Sequence, residues 1–137
     1  MKTLTPDAMI ELIPLTPKEL ETGEMLIAMA MPEYGNAEAT LHALVAEGFL
    51  ETVCVHYKSV AQYAVWFHVA PGGMLVINGT QRLRKGAVYE WLGKGVEALA
   101  RDRGCKFIIG LARRKGIVRK MLTHGYEVIG VTVMKKL

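Results

Sequence analysis

The sequence predicts an α/β fold in which a mixed, mostly antiparallel central sheet carries helices on both faces. The first observation is the middle of the chain, Glu51 to Asn78, where alternating and continuous runs of β-branched and aromatic residues flank a Pro-Gly-Gly turn. The second is a change to helical periodicity from Lys85 onward. The third is the alternation of helical and strand-like segments that follows, which is typical of a sheet covered by helices.

The N-terminal third predicts one strand and two helices. Thr16 suits the N-cap of the first helix, Pro17 stands at its first helical position, and Glu19 can reach back to the N-cap N–H. Asn36 caps the second helix and Gly48 ends it. We therefore expect a strand over residues 9–16, a helix over 16–30, a loop over 31–36 and a helix over 37–47.

The rest of the chain predicts two or three antiparallel strands followed by alternating helices and strands. The first of these helices has an apolar stripe formed by Val88, Trp91, Leu92, Gly95, Val96 and Leu99. A shorter second helix is expected to bury Ile117, Val118, Met121 and Leu122. The expected elements are strands over 51–57, 63–70 and 74–78, a helix ending near 103, a strand over 107–112, a helix over 115–124 and a closing strand from 126.

Length and composition predict one ordered domain over residues 1–137, because 51% of the residues are hydrophobic and 22% are charged. No apolar run reaches the ~18 residues of a membrane span, and the N-terminus lacks a signal-peptide pattern, so we expect a cytoplasmic protein without membrane contact. Cys54 and Cys105 have no CxxC partner and no histidine at ligand spacing, which favours buried free thiols over a metal site.

The charge is distributed unevenly along the chain. Residues 1–51 hold two lysines and nine acidic residues, a net charge of −7, whereas residues 52–137 hold fifteen lysines and arginines and four acidic residues, a net charge of +11. An acidic half joined to a basic half indicates an anionic ligand at the C-terminal part. A phosphorylated cofactor and a nucleic acid are the two candidates.

Three cations and a glycine stand directly ahead of the helix that follows Lys85. They are Arg82, Arg84, Lys85 and Gly86, in the stretch RLRKGA. A helix N-terminus offers unsatisfied N–H donors and attracts anions, whereas each cation there opposes the helix dipole by roughly 0.3–1 kcal/mol. The stretch therefore predicts a bound anion, and a solvated surface cluster is the alternative interpretation.

The C-terminal half, from about residue 74 to 137, resembles the GCN5-related N-acetyltransferase (GNAT) superfamily. The residues that carry the resemblance are the helix ending ALARDRGCKFI, the following IIGLARRKGIVRKML, and the corner and final strand HGYEVIG. These segments are similar to the third helix, fifth strand, fourth helix and Gly-Phe/Tyr corner of that family. The N-terminal half matches in element order. The resemblance implies an acyl-CoA N-acyltransferase-like fold.

The family binds the pyrophosphate of acyl-CoA through a loop patterned Gln/Arg-x-x-Gly-x-Gly/Ala at the start of its third helix. RLRKGA matches with an arginine first and an alanine last, but Lys85 stands in the fourth position, where the family has glycine, and Gly86 comes one place late. Lys85 with Arg84 can replace backbone contacts by ionic ones. The resemblance implies acetyl-CoA or CoA as cofactor, held by Arg82, Leu83, Arg84, Lys85, Gly86 and Ala87.

The resemblance also implies an oxyanion site at strand N–H groups between Leu75 and Asn78, and it makes Asn78 a further cofactor-binding candidate. Many family members place a tyrosine four residues before the corner glycine, to protonate the departing thiolate. Counting back from Gly125 gives Met121, whose thioether cannot donate a proton. No residue at this position can therefore act as the general acid, and the sequence assigns no catalytic residue.

Other side chains could supply the missing acid or base. His124 at a helix end is expected to stabilise the helix dipole, and His68 and His56 in predicted strands are expected to be core or surface histidines, with a catalytic role as the alternative for each. Tyr126 belongs to the corner and is expected to pack in the core. His42 is expected on a helix surface.

The first helices and the loop between them bear on the acceptor and on oligomerisation. Glu33 and Tyr34 lie in the loop that family members use for the acceptor, and loop solvation explains them equally well. A methionine cluster predicts core filling, with an acceptor pocket or a homodimer seam as the minority interpretation; it comprises Met25, Met29 and Met31.

Three hypotheses follow for function. The first is an acetyl-CoA-dependent N-acetyltransferase-like protein with an unknown amine acceptor. The second is a catalytically inactive GNAT-fold structural or assembly protein, of the small kind that bacteriophages encode, which the Met121 and Lys85 departures favour. The third is nucleic-acid binding through Arg82 to Lys85 and Arg113 to Lys115, which is disfavoured because no nucleic-acid motif and no interleaved aromatic residues are present.

Overall fold

The structure, a computed structural model, describes residues 3–15, 44–110 and 115–130, together with Lys135 and Leu137. The expected first helix, the loop after it and most of the expected second helix lie outside the described residues. Residues 44–46 are helical, and Gly48 ends that helix as expected with a φ of +82°. The described elements are β1 (Ile10–Pro14), β2 (Glu51–Tyr57), β3 (Val60–Ala70), β4 (Met74–Arg82), α1 (Tyr89–Asp102), β5 (Phe107–Gly110) and α2 (Lys115–Thr123).

The five strands form one sheet in the order β1-β2-β3-β4-β5. The first three pairings are antiparallel and the β4–β5 pairing is parallel, which confirms the predicted mixed, mostly antiparallel sheet. The tight β3–β4 connection depends on Gly72 and Gly73, whose φ values of +91° and +75° lie in the region that favours glycine. Strand β5 can run parallel to β4 because α1 forms the crossover between them.

Helix α1 covers one face of the sheet and forms the main core with it. Gly95 allows the close approach, because a Cβ placed there would lie 3.2 Å from Cγ2 of the fully buried Val55. The predicted stripe is confirmed at its centre, although Trp91 is half-buried and Val88 is exposed. The core consists of Ile10, Leu12, Val53, Val55, Tyr63, Val65, Phe67, Leu75, Ile77, Leu92, Val96, Leu99 and Ala100.

The opposite face of the sheet carries a second, smaller cluster. Trp66 and Ala64 of β3 are fully buried there against Val45 and Leu50, which come from the end of the expected second helix and the segment after it. Side chains therefore pack against both faces of β3, which explains why its sequence is a nearly continuous apolar run instead of an alternating one.

Strands β3 and β4 are longer than predicted, since β3 begins at Val60 and β4 continues to Arg82. A bulge causes the second difference. Trp66 pairs with Gly79 and Phe67 pairs with Ile77, so Asn78 is an extra residue in β4 without a β3 partner. The bulge breaks the period-two alternation that would have identified a single long strand in the sequence.

The predicted burial along α2 is wrong in the structure. Ile117 and Leu122 are exposed, Val118 and Met121 are only half-buried, and no residue of α2 is buried. Residues 126–130, where the closing strand was expected to begin, form no strand, and residues 131–134 lie outside the described part of the chain.

Both cysteines are free thiols, as predicted, but only Cys54 is buried, and Cys105 is half-buried. Burial raises the pKa of the Cys54 thiol to about 12, so this cysteine is inert near neutral pH. Neither of the described helices has the length and hydrophobicity needed to cross a bilayer.

Candidate functional site

Strand β4 extends beyond its described pairing with β5. The pairing runs from Met74 opposite Phe107 to Ile77 opposite Gly110, and β4 then continues to Arg82. Within the described ranges, no β5 residue faces β4 beyond Ile77. We call the part of β4 from Asn78 onward, which has no β5 partner among the described residues, the uncovered edge of β4.

Asn78 combines that position with the bulge. It has no register partner on β3, and none on β5 among the described residues. It differs in this from the residues from Leu75 to Ile77, each of which pairs with both β3 and β5. Within the predicted oxyanion region, Leu75 to Asn78, Asn78 is therefore the residue without a described partner strand.

The side chain of Asn78 is fixed by a neighbour on β3. Its Oδ1 lies 2.7 Å from Nδ1 of His68, and both residues are half-buried. His68 lies two residues after Trp66 on β3, so it shares the face opposite α1. This contact joins one of the predicted site residues to a histidine that the sequence placed in the core or on the surface.

The RLRKGA stretch forms the turn between β4 and α1. The N–H of Ala87 donates to the carbonyl of Arg84 at 3.3 Å, which closes a four-residue turn. Gly86 has a φ of +89°, so the late glycine is the residue that lets this turn form. Arg84 and Lys85 are exposed at its outer side.

The N-terminus of α1 has no side-chain cap. Its N-cap residue is Val88, whose side chain accepts no hydrogen bond, although the N–H of Trp91 donates to the Val88 carbonyl at 3.1 Å. Glu90 is the acidic residue of the first turn, and its carboxylate pairs with Lys94 at 3.6 Å. No side chain among the described residues therefore caps the first turn of α1, and an uncapped helix N-terminus is a position that attracts anions.

Three contacts hold this turn against the sheet. The hydroxyl of Tyr63 donates to the Ala87 carbonyl at 3.2 Å, and the N–H of Leu83 donates to the Gln62 carbonyl at 2.8 Å. Leu83 packs on the Trp66 cluster and Ala87 packs on the main core, so the turn is anchored on both faces. Burial raises the pKa of Tyr63, which keeps its hydroxyl protonated as a donor.

The structure thus separates the predicted cofactor residues into two groups. Arg82, Arg84 and Lys85 are exposed, and among the described residues none of them forms a salt bridge. Leu83 and Ala87 are half-buried anchors whose side chains face the protein. The cations can contact a ligand, whereas the two anchors can offer only their backbone.

Three positions that were considered for an acid lie within α2 or just after it. Met121 stands where the family has tyrosine, and it lies so close to Gly110 that a Cβ on that glycine would overlap the methionine methyl group. His124 is exposed, and its Nδ1 lies 2.8 Å from the Lys120 carbonyl, so it caps the end of α2 as expected. Burial raises the pKa of Tyr126 to about 12.

Tyr126 lies with Tyr89 and His124 along a cleft of about 230 Å³ between α1 and α2. The rings of Tyr89 and His124 are 4.9 Å apart. Tyr126 is half-buried in this cleft and belongs to neither core cluster, so the prediction that it packs in the core is wrong. Several earlier candidates lie outside the described residues: Met25, Met29, Met31, Glu33, Tyr34, His42, Arg113 and Arg114.

Comparison with known proteins identifies the fold. No family model matches the sequence, and no curated protein matches it. Among solved structures, a ribosomal-protein-alanine N-acetyltransferase from Brucella melitensis biovar Abortus 2308 has a TM-score of 0.64 at 11% identity, covering 93% of this chain and 99% of that one. The aminoglycoside N-acetyltransferase AAC(6')-Iy in complex with CoA has a TM-score of 0.58 at 15% identity, covering 98% and 99%.

A transcriptional regulator from Bacillus halodurans C-125 has a TM-score of 0.66 at 13% identity, covering 93% of this chain and 99% of that one. At such low identities the similarity establishes the fold. Coverage of nearly the whole chain extends the likeness beyond the C-terminal half in which the sequence motifs lie. The chain therefore has an acyl-CoA N-acyltransferase-like fold, as the sequence resemblance implied.

Proposed function

We propose that residues 1–137 form a single acetyl-CoA-dependent N-acetyltransferase-like domain that binds the pyrophosphate of CoA at the start of α1. One observation carries the proposal: β4 runs past its last β5 partner and leads through a cationic turn into an uncapped helix N-terminus. Solved structures with this fold include acetyltransferases, one of them with CoA bound. The acceptor is an amine whose identity is open.

The residues of the turn fit a pyrophosphate group. The first N–H groups of α1 supply donors, and Arg84 and Lys85 supply charge on the solvent side of the turn. A Cβ on Gly86 would meet no atom within 4 Å, so space is open beside the backbone at that point. Lys85 occupies the place of a family glycine but its side chain is exposed, and it therefore adds an ionic contact without filling the turn.

The uncovered edge of β4 fits the reactive end of the cofactor. Bound acetyl-CoA supplies an acetyl thioester, and its reaction with an amine yields an acetamide and a free thiol. The backbone N–H of Asn78 is positioned to stabilise negative charge on a carbonyl oxygen, since neither neighbouring strand pairs with this residue among those described. The chain contributes binding, orientation and this hydrogen bond.

Calorimetric titration with CoA and acetyl-CoA tests the proposal. Micromolar binding is expected, and the Arg84→Ala/Lys85→Ala double variant should bind at least about tenfold more weakly, because charge-assisted hydrogen bonds contribute roughly 1.5–3 kcal/mol each. Arg101→Ala/Lys106→Ala is the matched control, since it removes the same charge near the other end of α1, where both side chains are exposed. Equal weakening in both variants, or no binding at millimolar ligand, would contradict the proposed site.

A second candidate function is a catalytically inactive GNAT-fold structural or assembly protein. The observation that favours it is Met121, which stands at the position where the family has a tyrosine as proton donor. In the structure this methionine packs against Gly110. This candidate predicts a folded protein that neither binds CoA nor releases thiol from acetyl-CoA with any amine. We also infer a cytoplasmic location, which the two free cysteines support.

A further inference from the structure

His68 and Asn78 lie just beyond the last described pair of strands β4 and β5. Asn78 is the first β4 residue beyond the last β5 pair, Ile77 opposite Gly110, and the bulge turns its side chain toward β3. His68 meets it there, on the face of the sheet that α1 does not cover. A histidine is thereby held beside the uncovered edge of β4, at the level of the proposed oxyanion hydrogen bond.

The hydrogen bond between the two residues selects one form of the imidazole ring. Asn78 Oδ1 lies 2.7 Å from His68 Nδ1, and an amide oxygen only accepts. Nδ1 must therefore carry the proton, and in the neutral ring the lone pair then lies on Nε2. A half-buried imidazole whose free nitrogen is unprotonated is arranged as a proton acceptor.

The same face carries further polar atoms that lack partners. Thr52 Oγ1 and Trp66 Nε1 are buried without a hydrogen-bond partner within the described ranges, and these two residues face each other across β2 and β3. Gln81 Oε1 is also unpartnered there, and Gln81 pairs with Ala64 of the same face. Unpaired buried polar atoms are costly, so this face carries hydrogen-bonding groups that the described residues leave unused.

Other titratable side chains in the described ranges are less suited to accept a proton here. His124 caps the end of α2, and His56 lies on β2 opposite Glu11, with β3 between it and β4. Cys54 shares the face with His68, but burial raises the pKa of its thiol to about 12. Tyr63 packs in the core on the α1 side.

We propose that His68 is the proton acceptor for the amine substrate and that Asn78 positions it; this inference rests on the proposed function. Aliphatic amines are mostly protonated near neutral pH and have no free electron pair for attack. In the proposed step the ammonium N–H bond breaks, its electron pair stays on nitrogen, and Nε2 takes the proton. The imidazolium then releases that proton to water, which restores the starting form.

Nitrogen NMR of the histidine rings tests the arrangement without any ligand. Neutral His68 should show a protonated Nδ1 and an unprotonated Nε2, and Asn78→Ala should abolish that preference. His124 is an internal reference in the same spectrum, because its Nδ1 faces the Lys120 carbonyl at 2.8 Å and should be unaffected by the substitution. A protonated Nε2 on neutral His68 in the unaltered protein would overturn the inference.

Thiol release from acetyl-CoA with a panel of amines tests the role in turnover. His68→Gln is expected to lower kcat by about 10²- to 10⁴-fold, as loss of a general base does, with CoA affinity unchanged by calorimetry. An aromatic amine that is uncharged at pH 7 needs no prior deprotonation, so its kcat should fall less than about tenfold. His124→Gln, an exposed histidine outside the site, should leave kcat unchanged.

The outcomes separate this inference from the proposed function. If the unaltered protein binds no CoA, both are wrong. If it binds CoA but acetylates no amine, or if His68→Gln reduces kcat equally for charged and uncharged amines, the role of His68 is refuted while CoA binding stands. A drop in kcat of His68→Gln that is confined to charged amines, together with a protonated Nδ1 on the neutral His68 ring, supports the inference.

Discussion

Two glycines of α1 that are two residues apart should respond in opposite directions to the same substitution. In Gly93→Ala the added Cβ meets no atom within 4 Å, so only the helix propensity changes. Alanine is favoured over glycine inside a helix by roughly 0.8–1 kcal/mol, and Gly93→Ala should raise the free energy of unfolding by that amount.

Gly95→Ala gains the same propensity but meets the sheet. The new Cβ would lie 3.2 Å from Val55 Cγ2 and 3.5 Å from Leu12 Cδ1, and both partners are fully buried, with 0% of their surface exposed. Forcing extra volume into a packed core costs about 1–3 kcal/mol. We therefore expect Gly95→Ala to lower the free energy of unfolding by between about zero and 2 kcal/mol. The Gly95→Ala variant should then be at least about 1 kcal/mol less stable than the Gly93→Ala variant.

Urea unfolding followed by circular dichroism measures both variants against the unaltered protein. For a chain of 137 residues, a 1 kcal/mol difference corresponds to a Tm change of roughly 3–5 °C, which thermal scans resolve. An equal gain in stability for both substitutions would refute the close approach of α1 to β2. It would also weaken the placement of the anion site, since that packing fixes where the N-terminus of α1 lies.

Two other substitutions address the turn and the far end of α1. Gly86→Ala places a side chain at a φ of +89°, so it should lower the free energy of unfolding by about 1 kcal/mol. The same substitution should weaken CoA binding in calorimetry. Unchanged stability would show that the turn is not held in that conformation. Glu51→Gln breaks a two-point contact in which Arg103 donates to both carboxylate oxygens at 2.8 and 2.6 Å. Because the pair is partly exposed, the substitution should lower the free energy of unfolding by only about 0.5–1 kcal/mol at pH 7. The hydrogen bond from Arg103 lowers the pKa of Glu51 below 4.5, so this stabilisation is present above pH 4.5 and is lost as the pH falls through the lowered value. Urea unfolding of both proteins at pH 7 and at a series of lower pH values should show the difference shrink below pH 4.5, and a difference that does not shrink would contradict the ion pair.

The sequence was sufficient for elements whose signals are local. Helix α1 ends as predicted, because Gly104 adopts a φ of +67° just after it, and the Pro-Gly-Gly turn lies where its glycines permit positive φ. The apolar stripe of α1 faces the core, since a helical period leaves only one way to bury it. Local chemistry also located the RLRKGA turn, although it did not show that Gly86 shapes the turn while Lys85 stays exposed.

Features that depend on pairing between distant residues were predicted poorly. The length of β4 was missed because the bulge at Asn78 shifts the alternation by one residue, and only the partner strand reveals which residue is extra. The hydrogen bond from His68 to Asn78 joins residues ten positions apart on two strands, so it depends on that same register. The prediction of burial along α2 was wrong. An apolar stripe indicates which side chains favour burial, but it does not indicate whether another part of the chain covers them.

By itself, the sequence determined the class of the fold, the main helices and strands of the C-terminal half, and the presence of a cationic turn ahead of a helix. These follow from propensity, periodicity and glycine geometry, each of which acts over a few neighbouring residues. Only the tertiary structure decided that Asn78 is the extra residue of a bulge just beyond the described β4–β5 pairs, and that His68 lies within hydrogen-bond distance of it. Those facts depend on strand register, which packing across the whole sheet sets and no local stretch encodes.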